Sequence, residues 1–202
     1  MSMAKLLYQG HGSYRITAGD GTTVYVDPYA GEGYDAPADL VLITHEHVDH
    51  TNVDLVHQKP GCQIWREADM LTDGEYQTRE LDGIVVRAVP AYNLKHKRDD
   101  CVGYVIVVDG VRIYGSGDTS TTSCMMEVLP EEDLDYALLC IDGVFNMNPE
   151  EATQCAEMIS AHHAIPIHMK PGALFDEAMA ARFTPANRLI LRPGDEMELE
   201  HI

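Results

Sequence analysis

The sequence predicts two β-sheets packed face to face with helices outside them, a four-layer αββα sandwich of the α/β (α+β) class. Three observations support this prediction. Short strand-like segments dominate the first half of the chain, and helix-like segments are inserted between strands in the second half. Hydrophobic residues make up 45% of the 202 residues, which is enough to fill a sizeable core. Without a recognisable linker or repeat, we expect one domain over residues 1–202.

The first elements form a strand meander followed by a buried strand. Asp20-Gly21 is a hairpin turn signal, and the Gly-rich segment Tyr29–Pro37 is a loop. Leu40–Thr44 is apolar on both faces, which is typical of a central strand covered on both sides. The three strands of the meander are predicted at Leu6–Tyr8, Ser13–Ile16 and Thr23–Val26.

Later elements alternate strands with helices. Asn148 is predicted as the N-cap of a helix that runs to about Ala161, because Pro and Glu follow at its first and third positions. Ala91–Asp100 is a polar loop. Other helices are predicted from Asp49 onwards and at Phe175–Phe183, and strands at Gln63–Trp65, Ile84–Val89, Tyr104–Val108, Val111–Tyr114, Leu134–Ile141, Ala164–His168 and Leu189–Leu191.

A dense group of metal-capable side chains follows the buried strand, in the segment Thr44–His50, which reads T-H-E-H-V-D-H. His45 and His47 point the same way in an extended segment, whereas on a helix they would diverge. The adjacent Asp49 and His50 converge with them only if the chain turns between the two pairs. Imidazole and carboxylate groups in this spacing predict a metal site.

Two further metal-capable residues also follow strands directly. Asp118 comes after the hairpin and the small residues Gly115-Ser116-Gly117, and His168 ends the segment Ala164–His168. Sites on sheets commonly form at the carboxyl ends of strands, so these residues are candidate ligands as well.

Together these motifs resemble the metallo-β-lactamase fold superfamily, specifically its UlaG-like metal-dependent hydrolases. The resemblance covers nearly the whole chain and implies a metallo-β-lactamase-like sandwich. It rests on Gly10–Ser13, Thr44–His50, Pro90–Asn93, Gly117–Thr119, Asn146–Ala152 and Ile165–His168.

The resemblance implies two divalent metal ions. Zinc is favoured by the ligand types, and manganese or iron would also suit them. A third histidine ligand to the first metal is expected after a strand, where this sequence has Asn93, and His96 in the same loop is the alternative ligand. The remaining ligands implied by the resemblance are His45 and His47 for the first metal, Asp49, His50 and His168 for the second, and Asp118 between them.

The implied activity is hydrolysis by a hydroxide that bridges the two metals, with Asp49 and Asp118 as catalytic residues. A lactone or ester and a phosphodiester are equally compatible, and an anionic substrate is allowed. Because Asn93 occupies the expected histidine position, the alternative is a non-catalytic metal-binding or regulatory protein. Candidate substrate-binding residues are His11, Tyr92, Lys95 and Lys170, although a turn residue at His11 and a solvated loop at Lys95 are plain alternatives.

Composition limits the partners. A net charge of −19 with only 14 Lys and Arg argues against nucleic-acid binding through a basic face. No segment approaches the length of apolar sequence that crosses a membrane. The five cysteines include no C-x-x-C pair and suggest no disulfide framework, which favours a reducing compartment, the cytoplasm. We therefore expect a small-molecule substrate, and a homo-oligomer remains open.

Overall fold

A first mixed sheet is built mainly from the start of the chain. The computed structural model describes residues 3–202. Three antiparallel strands continue into two parallel ones, and a strand from the C-terminal end pairs with the first. The sheet contains β1 (Lys5–Gly10), β2 (Ser13–Thr17), β3 (Thr23–Val26), β4 (Ala38–Leu42), β5 (Gln58–Trp65) and β14 (Glu196–Glu198), in the order β14-β1-β2-β3-β4-β5.

A second mixed sheet follows from the middle of the chain, after a small hairpin of β6 (Leu71–Thr72) and β7 (Glu75–Tyr76). Four of its strands are antiparallel, and the last two connections are parallel. It contains β8 (Thr78–Leu81), β9 (Ile84–Pro90), β10 (Val102–Val108), β11 (Val111–Gly115), β12 (Tyr136–Cys140) and β13 (His163–Ile167), in the order β13-β12-β11-β10-β9-β8.

Helices lie between the later strands. The predicted cap of the longest helix is confirmed, since Asn148 Oδ1 accepts a hydrogen bond from Glu151 N at 2.8 Å. Within residues 3–202, no helix has the length and apolar character needed to cross a bilayer. The helices are α1 (Glu67–Met70), α2 (Ser123–Glu127), α3 (Pro149–Ile159) and α4 (Glu177–Arg182), with 3-10 turns at Val53–Leu55 and Leu129–Glu131.

The buried side chains form separate clusters between the two sheets and on their outer faces. Leu40 and Leu42 of β4 point into the cluster between the two sheets, where Tyr104 of β10 also lies. Val41 alternates with them and packs on the outer face of the first sheet beside Tyr25. The helices α2, α3 and α4 cover the outer face of the second sheet. The predicted sandwich class is therefore confirmed, and so is the prediction of a buried strand covered on both faces.

Three element predictions are wrong. No α-helix begins at Asp49, because His50 N bonds back to His47 O at 3.0 Å and the chain then bonds to Pro28 and continues as a 3-10 turn. Leu189–Leu191 is not a strand, since the described contacts there are one bond from Leu189 N to Ala164 O and an isolated bridge. The Phe175–Phe183 helix is shorter, because the Asp176 side chain caps it at Glu177.

Candidate metal centre

The candidate metal centre lies where strands of both sheets end. The first sheet contributes His11 from the turn between β1 and β2, and the segment Thr44–His50 shortly after β4. The second sheet contributes Asp118 shortly after β11 and His168 directly after β13. Chain ends that converge at one edge of a sandwich bring side chains distant in sequence into one cluster.

A first group of candidate ligands contains His45, His47 and His96, whose ligand atoms all lie within 4.8 Å of one another. His45 Nε2 is 3.1 Å from His47 Nδ1, and His96 Nε2 is 3.4 Å from Asp118 Oδ2. Of the two residues considered for the third position, the structure brings His96 to the cluster.

Asn93 holds His96 in place. Its Oδ1 atom accepts hydrogen bonds from the backbone N–H groups of Lys95 at 2.8 Å and His96 at 2.9 Å, and lies 3.1 Å from His96 Nδ1. Such a turn, closed by an asparagine side chain, bends the loop inwards. With Nδ1 donating to Asn93, the Nε2 lone pair of His96 is free to bind a metal. Asn93 therefore orients a candidate ligand, and its side-chain oxygen is already occupied.

A second group contains His11, Asp49, His50 and His168, again with all ligand atoms within 4.8 Å. Asp49 is their common neighbour. Its Oδ2 atom is 3.1 Å from His11 Nε2 and 3.9 Å from His168 Nε2, and its Oδ1 atom is 4.0 Å from His50 Nε2.

Asp118 lies between the two groups. From the first group, His96 Nε2 and His45 Nε2 lie 3.4 and 3.8 Å from its Oδ2 atom. From the second group, His168 Nε2 is 3.4 Å from Oδ2, and His50 Nε2 is 3.6 Å from Oδ1. One buried carboxylate thus faces four imidazoles, two from each group.

The donor set fits divalent cations. Among the described residues, the buried atoms His50 Nε2, His168 Nε2 and Asp118 Oδ1 have no hydrogen-bond partner. Buried polar atoms are normally paired, so three unpaired polar atoms in one cluster need an explanation. Imidazole nitrogens and carboxylate oxygens are the ligands that zinc and similar ions prefer. Cations held by these atoms would supply the missing partners.

Asp27, which sequence reasoning missed, orients two of the histidines. Its Oδ2 atom is 2.9 Å from His50 Nδ1 and accepts the Thr44 hydroxyl at 2.6 Å. The same hydroxyl lies 2.9 Å from His45 Nδ1. Both rings therefore turn Nε2 towards the cluster. The only sequence signal was the position of Asp27 at the end of β3, before Pro28.

Asp142 is the carboxylate beside Nδ1 of His168. Its Oδ2 atom is 3.1 Å from His168 Nδ1, while Oδ1 accepts the backbone N–H groups of Val144 at 2.6 Å and Phe145 at 2.7 Å. One carboxylate thus closes a turn and positions a candidate ligand.

His11 is a candidate ligand and does not line the open side of the site. Its Nδ1 atom lies 3.0 Å from the carbonyl oxygen of Ala173, which can only accept a hydrogen bond, so Nδ1 carries the proton. Its Nε2 atom lies 3.1 Å from Asp49 Oδ2, on the side of Asp49 that faces the second group. His11 is fully buried and has a φ of 55°, a left-handed conformation that non-glycine residues seldom adopt. The substrate-contact hypothesis for His11 therefore gains no support.

In the protein without metal, the close approach of carboxylates and imidazoles shifts the pKa values of several candidate ligands. Burial would raise the pKa of Asp118, but His168, His50 and His45 outweigh it and hold the pKa well below its usual range. Burial would lower the pKa of His50, but Asp118 and Asp27 raise it to about 9. For His45, burial and the charge of His50 lower the pKa to about 2.

Two cavities open from the centre. A cavity of about 300 Å³ is lined by ligands of both groups together with Lys95 and Phe145. A second cavity of about 470 Å³ is lined by the first group, Lys95 and several charged side chains. Among the described residues, neither wall includes Tyr92, which lies under the Arg98 guanidinium, or Lys170, whose Nζ is 3.5 Å from Asp176 Oδ2. Lys95 is thus the substrate-binding candidate that the structure brings to the site.

Comparisons with known proteins show the family and the fold of this chain. A family model described as "Beta-lactamase superfamily domain" matches residues 5–168. A UPF0173 metal-dependent hydrolase of Thermococcus onnurineus is 30% identical, with 98% of this chain and 100% of the relative covered.

Solved structures show the same fold at lower identity. Igni18, a metallo hydrolase of Ignicoccus hospitalis, has a TM-score of 0.72 at 22% identity, over 98% of this chain and 99% of its own. CmlA, a diiron β-hydroxylase of Streptomyces venezuelae, has a TM-score of 0.70 at 14% identity, over 98% of this chain and 55% of its own.

Proposed function

The chain belongs to the beta-lactamase superfamily, and on this basis we propose that it is a dinuclear metal-dependent hydrolase of small molecules. The observation that carries the proposal is the position of Asp118, 3.4 to 3.8 Å from imidazole nitrogens of both ligand groups. His45, His47 and His96 would hold the first metal, and His11, Asp49, His50 and His168 the second. The more specific assignment to UlaG-like hydrolases stays a prediction.

Divalent cations bound there would supply a water-derived nucleophile at neutral pH and would stabilise negative charge developing on the substrate. Asp49 is the residue best placed to take the proton of the attacking water. Its side chain is 28% exposed, whereas that of Asp118 is 5% exposed, so Asp49 faces the open side of the cluster. Although burial opposes ionisation, the hydrogen bond from His11 and the charge of His50 hold the pKa of Asp49 well below its usual range.

The walls of the smaller cavity favour an ester or lactone that carries an apolar group and a negative charge. Phe145 is 45% exposed and forms an apolar wall of the cavity, and Lys95 supplies a cation. A volume of about 300 Å³ limits the substrate to a small molecule. A phosphodiester would use the same cation and is the second substrate class that we propose.

A substrate panel tests the proposed function. The protein would be loaded separately with zinc, manganese and iron and assayed with lactones, carboxylic esters and phosphodiesters. Turnover in at least one class, above that of chelator-treated protein, is expected. Metal binding without turnover in any class would favour the alternative, a metal-binding or regulatory protein, which the asparagine at position 93 first suggested.

Metal loading is expected to release protons at neutral pH. Asp118 and Asp27 raise the pKa of His50 against the effect of burial, and Asp118 and Asp142 do the same for His168. His50, with a pKa of about 9, is then protonated at pH 7 in the protein without metal, and metal binding at its Nε2 atom must displace that proton. Zinc affinity should therefore rise with pH, and proton release should fall as the pH passes the His50 pKa of about 9. Calorimetry in buffers of different ionisation enthalpy measures the release, and a value near zero at pH 7 would contradict this prediction.

Replacing Lys95 should weaken the use of anionic substrates selectively. Lys95→Met is expected to raise KM for mono-4-nitrophenyl succinate by about 5-fold, as for an exposed ion pair, and to leave 4-nitrophenyl acetate nearly unchanged. Lys170→Met is the matched control, because its ammonium group pairs with Asp176 outside both cavity walls. Equal effects of Lys95→Met on both esters would exclude charge recognition by this residue.

A further inference from the structure

A chain of side-chain contacts connects the two candidate ligand groups in addition to Asp118. It starts at His168, whose Nδ1 atom is 3.1 Å from Asp142 Oδ2. Asn146 Nδ2 donates to the same oxygen at 2.6 Å. The Asn146 side-chain oxygen accepts from Asn93 Nδ2 at 3.1 Å, and Asn93 Oδ1 lies 3.1 Å from Nδ1 of His96. Three residues thus link a ligand of the second group to a ligand of the first.

All donors in the chain point towards Asp142. The Nδ1–H group of His96 donates to Asn93, Asn93 donates to Asn146, and Asn146 donates to the carboxylate. Hydrogen bonds aligned in one direction polarise one another. At each end the ring is left with Nε2 as the metal-binding atom, and both Nε2 atoms lie 3.4 Å from Asp118 Oδ2.

Three members of this chain of contacts are buried and Asn93 is partly buried, so the contacts matter energetically. Asn146 is 8% exposed, and Asp142 and His96 are 4% and 5% exposed. A buried amide that loses its partner costs free energy, so the orientation of each member depends on the next. A shift of the His96 ring would therefore alter the position of the His168 ring through the two asparagines and Asp142, and the reverse also holds.

The Asn146 side chain is not needed to shape its own loop. The turn is closed by Gly143 N, which donates to Met147 O at 3.0 Å, and by the backbone N–H groups of Val144 and Phe145, which donate to Asp142 Oδ1. The cap of α3 is provided by Asn148. The two side-chain bonds of Asn146 therefore serve the link between the groups.

We propose that Asn146 is a positioning residue that couples the two metal groups, so that filling one group preorganises the other. The inference rests on the proposed dinuclear site and deepens it. It also gives a physical role to Asn93. Its amide donates to Asn146 and its oxygen contacts His96, so it joins the two neighbours in the row of hydrogen bonds.

The test compares Asn146→Ala with Asn148→Ala, a residue of the same type in the same loop that caps α3. Zinc affinities of both groups would be measured by competition with a chelator, and the visible spectrum of the cobalt-loaded protein would report ligand geometry. Asn146→Ala is expected to weaken both groups by about 10- to 100-fold, as for other residues that orient ligands. Asn148→Ala should lower Tm and leave both affinities within about 3-fold, because a cap acts on helix stability.

Asn93→Ala provides a second variant, should Asn146→Ala fail to fold. Although Asn93 contacts only the first group, its replacement is expected to weaken zinc at the second group as well. An effect confined to one group, or no effect on either, would overturn the inference. Hydrolysis by the wild-type protein together with independent metal groups would overturn the coupling alone. Coupled metal groups without hydrolysis would overturn the proposed function alone.

Discussion

Asp118→Ala is expected to lower kcat/KM by at least about 10³-fold on any substrate that the wild-type protein hydrolyses. Its carboxylate faces His45 and His96 on one side and His50 and His168 on the other, and its side chain is 5% exposed. Removing it takes away the one ligand candidate that both groups share. It also leaves four imidazoles crowded together without the carboxylate that all four face. We therefore expect metal content to fall along with activity, measured by elemental analysis of the purified variant.

Asp54→Ala is the control for this prediction, because Asp54 is exposed on the 3-10 turn Val53–Leu55. Its activity and metal content should match those of the wild-type protein. An Asp118→Ala variant that folds, retains its metal and hydrolyses substrate within about 10-fold of the wild-type rate would contradict the role of Asp118.

His96→Ala is expected to reduce the metal content of the protein by one ion per chain. His96 is the third member of the first group, and two histidines alone bind zinc weakly compared with a complete site. Asn93→Ala should behave differently, because Asn93 orients His96 through contacts of 2.8 to 3.1 Å and supplies no ligand. Its expected effect is a loss of affinity of about 10- to 100-fold that excess zinc restores.

Comparing His96→Ala with Asn93→Ala tests which of the two residues is the third ligand of the first metal. Metal content after dialysis and at saturating zinc would be measured for both, with His57→Ala as a control on an exposed histidine. If Asn93→Ala lost one ion at saturation while His96→Ala kept both, Asn93 would be the ligand and the assignment of His96 would be wrong.

Local sequence signals predicted the elements that local interactions determine. The strand Thr23–Val26 was predicted with its observed bounds, because Asp20-Gly21 sets its start and Pro28 follows its end. The start of α3 was predicted because its cap is a contact between neighbours. The helix ends at Ile159, two residues before the predicted end at Ala161, because Ser160 adopts a left-handed conformation with a φ of 57°.

Features that depend on distant contacts were not predictable in this way. Asp27 reads as an ordinary strand-end aspartate until Thr44 and His50 are folded against it. The strand Glu196–Glu198 alternates polar and apolar residues, but it is only three residues long, and its pairing with β1 defines it. The turn after Asp49 replaces a helix because the chain bonds to a loop 24 residues away, from Asn52 N to Pro28 O.

The choice between Asn93 and His96 shows the same limit at the site. Spacing placed both in one polar loop and could not tell which side chain turns inwards. Three bonds to Asn93 Oδ1 decide this in the folded protein. The sequence therefore identified the two candidate residues, and the folded structure is needed to see which of them points towards the cluster.

Metal stoichiometry of the wild-type protein is the most direct test of the dinuclear centre. The chelator-treated protein would be reconstituted with excess zinc, freed of unbound ion and analysed for zinc per chain. Two ligand groups that share Asp118 predict two zinc ions per chain. A single ion per chain at saturation would contradict the dinuclear centre and the mechanism built on it.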